Sequence, residues 1–242
     1  MYRNEKNEIK PWLHKQWCIP EASPEYVCKM EEILDVYQRP YDPLKPVVCI
    51  DETSKQLIKQ TRIPCAPHQP EKVDYEYERN GVVNVFMIFE PLAGKRETIV
   101  SETRKTVDFA NVLKYMSDVM YPHAETIVLV TDNLNTHSKT SLYATFTAEE
   151  AHRVANRIEW HYTPKHASWL DMAEIEIGIM SRQALSKPIP DMDSFKKQIK
   201  AWTKRRNEEK GKVNWQFTTK DARVKLKKLY PKKTLIIHWM EY

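Results

Sequence analysis

The chain has 242 residues, 41% hydrophobic and 29% charged, with a polar start and no run of about 18 apolar residues, so a soluble protein with one main core is expected. Its four glycines, Gly81, Gly94, Gly178 and Gly211, are too far apart to build a phosphate-cradling loop, and Cys18, Cys28, Cys49 and Cys65 lack the spacing of a zinc ribbon or redox pair. The net charge of +5 is uneven: residues 191–242 hold 15 Lys+Arg against 6 Asp+Glu, which leaves residues 1–190 acidic, the balance of a phosphate-backbone binder with an acidic centre.

In chain order, residues 1–46 carry Trp12, Trp17-Cys18-Ile19-Pro20 and a helix over Pro24–Tyr37 that ends before Arg39-Pro40. The prolines of this stretch mark it as an arm or linker. A buried strand, Val47-Val48-Cys49-Ile50, ends at Asp51, and a segment spaced by Pro64, Pro67 and Pro70 follows. Tyr75–Phe89 reads as a β-hairpin because Asn80-Gly81 supplies the positive φ of a tight turn. A strand at Thr98–Ser101 precedes a helix over Thr106–Met120, whose Val107, Ala110, Leu113 and Met116 recur at helical spacing. The strand Thr126–Thr131 ends at Asp132. A helix near Thr147–Arg157, a strand at Ile158–Tyr162 and a helix around Glu174 complete the series.

The order βββαβαβα predicts an α/β protein of the ribonuclease H-like fold: a mixed five-stranded sheet flanked by helices, with a basic helical extension after it. The expected division is 1–46 arm, 47–190 catalytic domain, and 191–242 extension packed on that domain.

Asp51, Asp132 and Glu174 stand out because each interrupts an apolar strand or helix. Carboxylates that converge repel one another unless a cation neutralises them. Hard oxygen ligands suit magnesium or manganese, and two such ions roughly 3.5 to 4 Å apart serve in-line phosphoryl displacement. The chemistry implied is nuclease or strand transfer on nucleic acid.

Plainer readings stand beside this one. Asp51 and Asp132 could be turn-formers, with Glu52 a neighbour rather than a ligand. Asp171-Met172-Ala173-Glu174 has the spacing of a helix-capping box, and Asp171 or Glu176 could be the third ligand instead. His137 and His166 either position water or phosphate or are surface and supporting histidines. Trp169 is a core plug or a wedge against an unstacked base. Lys165, Arg182, Lys204, Arg205 and Arg206 are candidate contacts to DNA backbone or simply solvated charges.

Three blocks carry a family resemblance: Val47-Val-Cys-Ile-Asp51-Glu52-Thr-Ser, Thr131-Asp132-Asn133-Leu-Asn-Thr-His137, and Tyr162-Thr-Pro164-Lys-His166-Ala-Ser168-Trp169-Leu-Asp171-Met-Ala-Glu174-Ile-Glu176. They resemble the catalytic blocks of DDE transposases of the Tc/mariner superfamily, bacterial insertion-sequence branch. The resemblance implies that Asp51, Asp132 and Glu174 bind two Mg2+ or Mn2+ ions, with Asp51 bridging them. It also implies cleavage of DNA at transposon ends, strand transfer to target DNA, and a homodimer in the DNA complex. The protein would then be bacterial, cytoplasmic and DNA-associated. Family members usually carry N-terminal helix-turn-helix modules, which residues 1–46 are too short and proline-broken to hold, so a separate helix-turn-helix half is an expected partner. A nuclease that does not join, and a non-catalytic regulatory derivative, are the alternatives.

Overall fold

The computed structural model describes residues 23–60 and 77–231. Trp12, Trp17–Pro20, Pro64, Pro67, Pro70, the first two residues of Tyr75–Phe89 and the end of the basic extension lie outside the described residues.

Helix α1 (Pro24–Tyr37) leads into five strands, β1 (Val47–Gln60), β2 (Tyr77–Glu90), β3 (Lys95–Ser101), β4 (Ile127–Thr131) and β5 (Ile158–Tyr162). They form one mixed sheet in the order β3-β2-β1-β4-β5. The first three strands pair antiparallel, and β1, β4 and β5 pair parallel. Between β3 and β4 lies α2 (Thr106–Tyr115), continued by a π-helical turn at Met116–Met120; α3 (Lys139–Thr145) and α4 (Ala148–Asn156) separate β4 from β5. Helices α5 (Met172–Gln183), α6 (Met192–Glu208) and α7 (Thr219–Lys225) follow. Among the described residues, no helix is long and apolar enough to cross a membrane.

Alternation along the strands builds two cores, one on each face of the sheet. Val48, Ile50, Phe86, Ile88 and Leu129 pack with Phe109 and Leu113 of α2, Leu142 of α3 and Val154 of α4. Cys49, Val85, Met87, Phe89 and Val130 pack with Met30 and Leu34 of α1, Met180 of α5, and Phe195 and Trp202 of α6.

Several expectations change. The stretch read as an arm contains a core helix: in α1, Tyr26, Met30, Ile33 and Tyr37 form a buried stripe at helical spacing. Pro24 sits at its first turn and Pro40 beyond its end, so these prolines bracket the helix rather than break it. Asn80-Gly81 does not turn a hairpin. Gln56 pairs with Val82 and Ile58 with Arg79, which leaves Asn80 and Gly81 opposite Leu57 alone, as a β-bulge. Gly81 has φ +91°, the same backbone freedom a turn would have used. Finally, β1 does not stop at Asp51 but runs on to Gln60 through polar residues that hide its alternation.

Candidate metal-binding acidic site

The sheet register brings the first two acids together. Ile50 of β1 pairs with Thr131 of the parallel β4, so Asp51 and Asp132, each one residue further on, are neighbours on adjacent strands, about 4.8 Å apart by strand spacing. Asp51 is mid-strand, contrary to the expectation that it ends one. The crevice forms there because β4 stops while β1 continues beside β2. Alternation points Asp51 to the Cys49 side of the sheet, where α5 packs, and Glu52 to the Ile50 side, where α2 packs.

The turn Ser168–Leu170 delivers α5 to this crevice. Asp171 is its N-cap, accepting a hydrogen bond from the Ala173 amide at 2.8 Å. Its other oxygen, Oδ2, is buried without a partner. Glu174 lies in the first turn, exposed itself although Met172 and Ala173 beside it are buried, and makes no hydrogen bond or ion pair among the described residues, so its carboxylate is not spent on the cap.

The acids raise one another's proton affinity. Burial first, and then the negative charges of Glu52, Asp132 and Glu174, push the Asp51 carboxyl up to about 7, although it accepts the Glu52 amide at 2.8 Å. Burial and the nearby charges of Asp51, Glu174 and Asp132 hold Asp171 well above the usual carboxylate range. Carboxylates in this state gain most from a hard cation.

His137 occupies the other side of the crevice. Its ring stacks on Phe109 with centroids 4.3 Å apart. Nδ1 hydrogen-bonds Asp132 Oδ1, and Nε2 lies 2.9 Å from Glu52 Oε2. Burial disfavours the imidazolium, but the two carboxylates outweigh it and raise His137 to about 9. The charged ring is thus a counter-ion held between Glu52 and Asp132. Because both contacts to Asp132 fall on Oδ1, its Oδ2 stays free. As the side chains are placed, no three His, Cys, Asp or Glu among the described residues form a ready ligand set. Converging charge, rather than a preformed cage, marks this site.

Glu176 stands two residues beyond Glu174, and so on another side of α5. It is fully buried in a network that sequence reading did not reveal. Arg96 Nε of β3 lies 3.0 Å from Glu176 Oε1, and Arg206 Nε of α6 donates to the same oxygen at 2.9 Å. Arg96 also donates to the carbonyls of Arg206 and Gly211. Arg206, expected on the DNA path, is therefore turned inward to neutralise Glu176. The expectation failed because sequence places Arg206 in a basic run but does not show that a buried carboxylate waits one helix away.

Lys165, Arg182, Lys204 and Arg205 are exposed. His166, beside Lys165, has φ +62°. Trp169 is 39% exposed, with Trp215 stacked 6.3 Å away and Phe217 edge-on at 6.1 Å. It is therefore not a core plug. Glu52, expected to be a mere neighbour of Asp51, is sent by strand alternation to the opposite face of the sheet, where His137 meets it.

Residues 46–196 match the model of the DDE superfamily endonuclease family. No curated protein matches the chain significantly. Among solved structures, the Mos1 transposase paired-end complex with left transposon end is 14% identical, with a TM-score of 0.54 over 81% of this chain and 62% of that one. The Mos1 strand transfer complex gives 14% and 0.54 over 90% and 66%. The mariner Mos1 paired-end complex with Mg gives 14% and 0.52 over 90% and 67%. At this identity the likeness is one of fold, and the chain spans about 62% of the Mos1 chain in the first of these structures. With more than half its length under the family model, the chain belongs to the DDE superfamily endonucleases.

Proposed function

We propose that this chain is the catalytic unit of a transposase with a ribonuclease H-like fold, of the Tc/mariner superfamily's bacterial insertion-sequence branch, which cleaves DNA at transposon ends and joins it to target DNA. The observation that carries the reading is the register that sets Asp51 beside Asp132 on adjacent strands, where burial first, and then the charges of Glu52, Asp132 and Glu174, push the Asp51 carboxyl up to about 7.

The donor set fits hard divalent ions: all oxygen, negatively charged, with Asp132 Oδ2 and Glu174 uncommitted. Asp51, Asp132 and Glu174 would hold two Mg2+ or Mn2+ ions. When bound, such ions supply charge neutralisation and an acidified water or hydroxyl for in-line attack on a phosphodiester. The chain's own residues position and balance charge. His137 holds Asp132 by Oδ1 and keeps Glu52 neutralised, while Asp171 fixes the start of α5 and hence the place of Glu174. Water opens the end phosphodiester, and the freed 3′-hydroxyl attacks target DNA, with no covalent enzyme intermediate.

In this reading 47–190 is the catalytic domain and 191–242 its basic extension, working in the bacterial cytoplasm as a DNA-bound homodimer with a helix-turn-helix half supplied in addition. Exposed Lys165, Arg182, Lys204 and Arg205 are the proposed backbone contacts.

The test is cleavage and joining of labelled candidate end DNA with Mg2+, with and without a helix-turn-helix partner. Asp51→Asn, Asp132→Asn and Glu174→Gln should each abolish cleavage while circular dichroism stays native. Normal cleavage by Glu174→Gln would overturn the third assignment; cleavage without any joined product would leave a nuclease.

A further inference from the structure

A groove of about 750 Å³ lies between α2 and α6 along β3, and none of its lining residues belongs to the acidic site. β3 is an edge strand, paired on one side to β2 alone. The Asn207 side chain caps both the N–H and the C=O of Arg96, which shows that Arg96 directs its peptide groups away from β2. By alternation Thr98 and Val100 direct theirs the same way. The Thr98 amide is taken by Glu97 Oε1. The Thr98 carbonyl and both peptide groups of Val100 have no hydrogen-bond partner among the described residues on that side.

Helix α6 runs antiparallel to this edge. Asn207 meets Arg96 and Thr203 meets Thr98, the two hydroxyls 2.8 Å apart, while Ile199 and Val100 line the groove together. Two strand residues advance roughly 6.6 Å and four helix residues about 6 Å, so the elements stay in step. One residue beyond this seam, Lys196, Lys200 and Lys204 form an exposed row on the rim, with no ion pair among the described residues. Like charges at this spacing destabilise a helix unless something neutralises them. Glu97 of β3 and Asp108 of α2 also line the groove, their carboxylates accepting from the Thr98 amide and from Ser101 Oγ and the Lys105 amide.

We propose that the β3 edge is a docking site for an extended acidic peptide that adds as a further strand, its peptide groups bonding Thr98 and Val100 and its carboxylates, at alternate positions, meeting Lys196 and Lys200. The alternate-residue spacing of a strand matches the four-residue spacing of the lysines. A nucleic-acid strand carries similarly spaced negative charge but would leave the edge peptide groups unpaired. Strand addition to an exposed edge is an established recognition mode in which main-chain bonds give affinity and side-chain positions give specificity.

The probe is a fluorescent eight-residue peptide of alternating Glu and Val, titrated into the full chain by anisotropy. A Lys-Val repeat and a single-stranded oligonucleotide of equal length serve as comparisons. Saturable binding of the Glu-Val peptide that Lys200→Glu weakens about tenfold, and that the oligonucleotide displaces poorly, is the expected result. Val100→Pro, which removes an outward N–H without touching a bond to β2, should weaken it as well; should that variant misfold, Lys200→Glu with an unchanged far-UV spectrum decides. No binding, equal binding of the Lys-Val peptide, or tighter binding of the oligonucleotide at the same lysines overturns the proposal, the last by making the groove a nucleic-acid path.

Discussion

Asp51 and His137 titrate in opposite charge senses, yet without metal both make the protein less stable as pH rises. Asp51 has a folded pKa of about 7 against an ordinary 3.8, so the folded chain holds that proton more tightly, and stability falls between about pH 4 and 7. His137 is raised from 6.5 to about 9, so its contribution is fully present below 6.5 and is lost as pH climbs through 9. Asp51→Asn should remove the first decline. In EDTA at pH 8 the variant should be more stable than the wild type, by an amount of order 2 kcal/mol, read from urea unfolding. Added Mg2+ should raise the wild-type midpoint and barely move the variant, since only binding to the folded state stabilises. A variant less stable than wild type at pH 8 would mean that Asp51 serves the fold and not an ion.

At the scale of elements, the Arg96–Glu176–Arg206 network ties β3, α5 and α6 around one buried carboxylate. Removing one member strands the others in a low-dielectric interior. Glu176→Ala should therefore cost about 3–5 kcal/mol in chemical denaturation, while replacing Arg96, Glu176 and Arg206 together by Met, Leu and Met should cost less. A smaller loss for the single change than for the triple one would show that the charges are not coupled. Gly94 joins the same region: its φ is +66°, and a Cβ there would stand 2.9 Å from the carbonyl carbon and oxygen of Lys210. Gly94→Ala should destabilise by more than the roughly 1 kcal/mol of the backbone term alone, because backbone cannot swing aside.

These elements also show where sequence reading stops. Strand and helix types were legible wherever an apolar period was uninterrupted, as in β4 and in α2 with its buried Ala110 and Leu113. The three acids stand out in the sequence because charge is rare in such runs. The second half of β1 was not, since it is held by pairing with β2 rather than by its own apolar pattern. Asn80-Gly81 signalled positive φ correctly but not which feature would use it; the length of the partner strand decides between turn and bulge. Pairings such as Glu176 with Arg96, or Glu52 with His137, depend on registers between distant elements and leave no local trace.

For the whole molecule, charge placement decides how DNA would bind. Lys204 and Arg205 are exposed on α6, whereas Arg206 is committed to Glu176. Reversing Lys204 and Arg205 to Glu should weaken binding about equally for all sequences and reduce the slope of log K against log salt by about 2, near 0.9 per lost phosphate contact, without shifting the thermal midpoint. Arg206→Glu should instead place two buried carboxylates side by side and unfold the protein. Base readout is a separate matter, because it needs an element free to enter a groove. Helix α1, the helix ahead of β1 among the described residues, spends Met30, Ile33 and Leu34 on the core and cannot serve. The chain by itself should therefore bind end and scrambled duplexes alike, with micromolar or weaker affinity at physiological salt, as electrostatic binders do. A competition titration measures this directly. If ends are preferred a hundredfold by this chain without a partner, a reading element exists within it, and the proposal of a separately supplied helix-turn-helix half must be given up.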